Sequence, residues 1–89
     1  MSFIVTKKMS LEEAKALGIN TWSTWECEPS VFDWHYSEKE TAYVFEGEVT
    51  VTANGEETHI GPNMLVVFPK DLSCVWHVHK TIKKVYKFD

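Results

Sequence analysis

Asp33 and His35 stand two residues apart in a run of strand-forming residues, Val31 to Tyr36, and Glu40 follows after a short polar turn. Alternation along a strand places Asp33 and His35 on one side, with Phe32, Trp34 and Tyr36 on the other. Two carboxylates and an imidazole are the groups of acid–base chemistry. If an apolar interior brings Asp33 and Glu40 close, one keeps its proton into the neutral range while the other stays ionised, which is the split that acid and base roles require. His35 can then relay a proton. The same three groups can equally form a satisfied polar network that holds strands in register, since structural networks perturb ionisation too.

Other chemistry-bearing residues give weaker signals. His77 and His79 form a His-x-His on one strand face, but alternation sets them opposite Cys74, Trp76 and Val78. With Cys74 facing inward these two histidines face solvent, next to Lys80 and with no adjacent carboxylate or thiolate to complete a metal shell. His59 carries no signal. Cys27 and Cys74 form neither a Cys-x-x-Cys pair nor a zinc-knuckle spacing, and in a reducing compartment they are expected as free thiols.

Length and charge limit what these residues can serve. A chain of 89 residues has room for one domain and one core, so the whole of 1–89 is expected as a single unit stabilised by dense packing of its four Trp, five Phe and three Tyr. With 13 acidic against 9 basic residues the net charge is -4, which argues against nucleic acid as a partner. Lys80, Lys83, Lys84 and Lys87 are expected as a solvated edge, because lysines on an outer strand discourage aggregation. No apolar run approaches a membrane span and the first residues lack the regions of a signal peptide, so a cytoplasmic protein without membrane partners is expected.

The elements that must position these groups are mostly strands. One helix is predicted over about 10–17: Ser10 and Glu13 make a capping box, Leu11, Ala14 and Leu17 share a face, and Gly18 supplies a left-handed stop. Two turns do not persist alone, so the helix should lie against the rest of the fold. From about residue 22 to 88, strands are predicted at 22–27, 31–36, 41–45, 49–52, 57–60, 64–68, 73–79 and 82–88. Asn54-Gly55 between two of them calls for a type I′ hairpin turn, in which both central residues take positive φ. Short, evenly spaced strands of this kind make an all-β sandwich or barrel.

Two stretches carry a family resemblance. Asp33-Trp34-His35, four residues, Glu40, six residues and Gly47 resemble the first cupin motif, His-x-His-x4-Glu-x6-Gly, with Asp in the first histidine's place. Gly61 through Pro69 to Cys74 resembles the second, with Asp71 in place of a glycine and Cys74 in place of the histidine. The likeness is to the small single-domain cupins grouped with ureidoglycine aminohydrolase. It implies an antiparallel, RmlC-like jelly-roll barrel with one short N-terminal helix. It also implies one divalent metal ion, zinc, iron or manganese, at Asp33, His35, Glu40 and Cys74, a set whose donors suit such ions.

The expected function is therefore a barrel that binds a small polar metabolite with or without that metal, using His35, Glu40 and Asp33 for chemistry and Met64, Phe68, Trp76 and Tyr86 to line the pocket. The alternative is a non-catalytic, metal-free binding or assembly module with a packed interior. Trp34 and Tyr36, expected to face outward, require cover from the first helix or from a second subunit, which points to a homodimer.

Overall fold

The computed structural model describes residues 3–88. Seven antiparallel strands run β1 Val5–Lys8, β2 Ser23–Cys27, β3 Ser30–His35, β4 Glu40–Ala53, β5 Glu56–Ile60, β6 Met64–Phe68 and β7 Ser73–Phe88, with one helix, α1 Leu11–Ala16. The all-β barrel expected from the strand spacing is what the chain forms. Its helix begins where the capping box is: Ser10 Oγ accepts from Glu13 N, and the Glu13 carboxylate accepts from Ser10 N, both at 3.2 Å. Gly18 follows with φ +83.

Two long strands organise the barrel. β4 and β7 pair along nearly their whole length and sit in the middle of the order β1-β6-β4-β7-β2. The first half of β4 takes β6 on its other side and the second half takes β5; the first half of β7 takes β3 and the second half β2. Each long strand thus belongs to two sheet layers. The bend between the layers lies at Val44–Val49, where the β4–β7 register shifts at three successive bulges. Gly47 is at that bend with φ +112, and a Cβ there would stand 2.6 Å from Ile82 Cα. Eight separate strands are expected, with breaks at Glu46-Gly47 and at Lys80-Thr81. They are bulges instead, so pairing continues through them; β1, paired with β6, had no expected counterpart.

The hairpin at Asn54-Gly55 has φ values of +53 and +78, as a type I′ turn demands. Asp71, which occupies a glycine position of the second motif, has φ +67. Asp is among the few residues that take the left-handed region at low cost, so the turn survives the exchange.

The core fills the space between the two layers. Ala42, Val44, Val49 and Val51 of β4 meet Phe68 of β6 and Trp76, Val78 and Ile82 of β7 there. A second, smaller cluster lies on the outside of the first layer: Met9, Ala14 and Ile19 cover Tyr43 and Val85. The helix is therefore a strap over the odd-numbered face of β4 and β7. Tyr43 anchors it, donating to Met9 O and accepting from Asn63 Nδ2, both at 2.9 Å.

Candidate functional site

Register decides which residues of β3 see the interior. Phe32 pairs with Trp76 and Trp34 with Cys74, while Asp33 pairs with Val75 and His35 with Ser73. Directly paired residues share a face, and Trp76 and Cys74 are buried whereas Ser73 and Val75 are exposed. Phe32, Trp34 and Tyr36 therefore point into the barrel and Asp33 and His35 point out, the reverse of the expected orientation. Alternation separates two faces without saying which is buried, and here three rings have more to gain from burial than Val31 with two polar groups. Tyr36 is buried within the barrel, while Trp34 is half exposed. Both line the cavity described below, Trp34 at its rim.

This reversal corrects the expected metal and acid–base set. Asp33 and His35 border an open surface depression, where His35 Nδ1 lies 2.9 Å from Ser73 Oγ. Glu40 is buried on the inner side, away from them. Cys74 borders the same depression but is buried, its thiol donating to Trp34 O at 3.6 Å, and burial pushes that thiol up to about 11. Among the described residues, no three His, Cys, Asp or Glu side chains gather as a metal ion would need. The donor set implied by the resemblance does not fit a metal here. Counted along the strand, the inward pair before Glu40 is Trp34 and Tyr36, so the likeness to the first motif falls one residue out of frame and both histidine places are aromatic.

Lys84 places a cation in the interior. Its Nζ lies 2.6 Å from Glu40 Oε2, with both side chains about 6% exposed. The β4–β7 ladder pairs Val44 with Lys84, Ala42 with Tyr86 and Glu40 with Phe88. Ala42 is the buried residue between Glu40 and Val44, the partner of Lys84, on β4. Four rings surround the ammonium: Trp76 at 4.9 Å, Trp25 at 5.0 Å, Tyr86 at 5.5 Å and Phe68 at 5.6 Å from centroid to Nζ. Ring faces attract a cation most strongly when water is excluded. Burial pulls the Lys84 ammonium below the ordinary lysine range, and the Glu40 charge and hydrogen bond oppose that pull.

Above this pair is a cavity of about 140 Å³. β2 contributes Trp25, β3 contributes Phe32 and Trp34, and β7 contributes Trp76, Tyr86 and Phe88, with Tyr36 and the Lys84–Glu40 pair completing it. Trp25 meets Trp76 edge-on at 5.7 Å and Phe32 stacks on Trp76 at 6.0 Å, so the walls hold each other in place. Tyr36 stacks on Phe68 at 4.6 Å and accepts from Trp76 Nε1 at 3.1 Å. Burial first, then the charges of Glu40 and Cys74, raise the Tyr36 phenol far above its usual range, so it keeps its own proton to donate. Trp34 and Phe88, each about half exposed, stand at the mouth.

Of the four residues expected to line a pocket, Trp76 and Tyr86 do so, Phe68 is one layer behind, and Met64 lies elsewhere, its sulfur accepting from Gly61 N. His77 and His79 face outward, their rings 4.0 Å apart, and the Thr50 hydroxyl lies within hydrogen-bond distance of both His79 and His59. The expectation that Lys84 belongs to a solvated edge is overturned. β7 is paired on both sides, and it is Lys80 and Lys83 that make exposed ion pairs, with Glu48 and Glu46. A signal for Lys84 was available: it shares even parity with Cys74, Trp76 and Tyr86, the positions already read as inward.

The EutQ-like cupin domain matches residues 14–86. A DUF861 family protein from Thermotoga maritima is 39% identical, with a TM-score of 0.93 over 98% of this chain and 100% of that one. The Clostridium difficile EutQ protein is 21% identical, with a TM-score of 0.69 over 98% of this chain and 68% of that one. An RmlC-like cupin from Shewanella frigidimarina is 12% identical, with a TM-score of 0.57 over 74% of this chain and 65% of that one. The last two likenesses are of fold. No curated protein matches the chain.

Proposed function

The chain belongs to the EutQ-like cupin domain family, and on that premise we propose that it binds a compact, planar, neutral carbonyl compound in the aromatic cavity, with the carbonyl oxygen on the Lys84 ammonium. The observation that carries this reading is a cavity of about 140 Å³ with aromatic walls and a charged pair at its floor. An apolar cavity of roughly that volume accepts a molecule of benzene's size.

Charge selects among ligands. Lys84 and Glu40 already neutralise each other, so a carboxylate ligand would meet Glu40 at short range with no further cation to offset the repulsion. A neutral carbonyl incurs no such cost. The ammonium carries three donors, of which Glu40 engages one, and the Tyr36 hydroxyl offers another. The sequence resemblance to ureidoglycine aminohydrolase-like cupins puts ureido and amide compounds first among the carbonyls.

Titration with benzamide, followed through the fluorescence of Trp25, Trp34 and Trp76, tests the proposal. A saturable change that weakens at least tenfold in Lys84→Met, and a much weaker response to benzoate, support it. Equal responses to benzamide and benzoate, or none to either, refute it.

One observation favours a second reading, that of a packed module with no ligand: among the described residues every buried side-chain nitrogen and oxygen has a partner. Under that reading no small carbonyl compound raises the melting point, since only a ligand of the native state does so.

A further inference from the structure

We propose that Lys84 forms an imine with small aldehydes, with Glu40 moving the protons. This rests on the carbonyl-binding reading above and deepens it. The geometry is that of a lone amine at the floor of a ring-lined cavity, with a carboxylate oxygen 2.6 Å from its nitrogen. Eight other lysines lie in the sequence, and two on the same strand, Lys80 and Lys83, point to solvent and to surface carboxylates.

The step balances within the pair. The Lys84 ammonium gives a proton to the Glu40 carboxylate and becomes a free amine. Its lone pair attacks the aldehyde carbon, the carbonyl π pair moves to oxygen, and a proton passes from nitrogen to that oxygen to give a carbinolamine. Glu40 then protonates the hydroxyl, which leaves as water while nitrogen forms the C=N bond. The product is a protonated imine facing the restored Glu40 carboxylate. One cation and one anion stand at the floor before and after, so the site bears no net charge change. The rings that face the ammonium at 4.9–5.6 Å remain to stabilise the iminium. A desolvated lysine in an apolar pocket is an activated nucleophile, and burial draws the Lys84 ammonium in that direction.

Reductive trapping tests the inference. The intact protein is incubated with benzaldehyde and cyanoborohydride, and labelled positions are mapped by peptide mass analysis. The expected result is one adduct per chain on Lys84, at least tenfold ahead of Lys80 or Lys83 and suppressed by excess benzamide. Lys84→Arg, which keeps the charge pair, loses the adduct, and Glu40→Gln slows it by tenfold or more. Labelling spread over the exposed lysines with Lys84 unmodified overturns the imine. If benzamide still perturbs the tryptophan fluorescence in that case, the carbonyl-binding reading stands alone; if it does not, both fall. Benzamide suppression in the unaltered protein keeps the test decisive should Glu40→Gln fail to fold.

Discussion

Lys84 Nζ and Glu40 Oε2 meet at 2.6 Å although 44 positions separate the two residues in the chain. They sit on neighbouring central strands, inside a ring of aromatic side chains, with little of either exposed to screening by water. Each is therefore held by the other.

That dependence has a measurable sign. Removing one partner of a buried pair leaves an uncompensated charge and typically costs about 3–5 kcal/mol. Glu40→Gln is expected to lose an amount in that range, measured by denaturant unfolding. The double replacement Glu40→Leu with Lys84→Met removes both charges and should return to within about 1 kcal/mol of the original stability, or exceed it. Additive losses in the double variant would show that the two residues do not act as a pair.

Gly47 gives a second prediction. Its φ of +112 and the 2.6 Å approach of Ile82 Cα to the place of a Cβ mean that Gly47→Ala must push two backbones apart at the bend of the barrel. A loss of about 3 kcal/mol or more is expected from strain of this kind. Gly55→Ala, with positive φ but open space around it, should cost only about 1–2 kcal/mol. Equal thermal shifts for the two would contradict a close crossing at Gly47.

Cys74 offers a pH-dependent test. Its thiol is raised from 9.0 to about 11 by burial, so at pH 8 it holds almost no thiolate, the reactive form. In the folded protein it should resist iodoacetamide at pH 8 and react only after unfolding. The linkage sign follows: between pH 9 and 11 the unfolded chain releases this proton before the native state does, so the thiol's contribution to stability falls as pH rises through that window. Cys74→Ala should flatten that part of the stability profile. Rapid stoichiometric alkylation of Cys74 in the native state would sink the assignment.

Much of the fold was legible because its signals are local. The capping box at Ser10 and Glu13, the turn at Asn54-Gly55 and the run Met64–Phe68 each specify their own conformation, and each appears where the residues place it. The site was less legible because it depends on register. In β3, rings at 32, 34 and 36 and polar groups at 33 and 35 form two credible faces, and a shift of one residue exchanges them. Only the pairing of Trp34 with Cys74 settles the choice. Lys84 was hidden for a related reason. Among Lys80, Lys83 and Lys87 it looks like one more surface charge, and it becomes an interior residue only because Glu40, distant in sequence, is there to receive it.

The central claim is that this interior, with Lys84 and Glu40 at its floor, receives a small neutral carbonyl compound. Chemical-shift mapping of the protein during titration with benzamide tests it most directly. The account predicts saturable shifts at the indole N–H groups of Trp25 and Trp76 and along the inward residues of β7, absent in Lys84→Met. Shifts confined to the outer depression at Asp33 and His35, or no shifts at saturating benzamide, would contradict it.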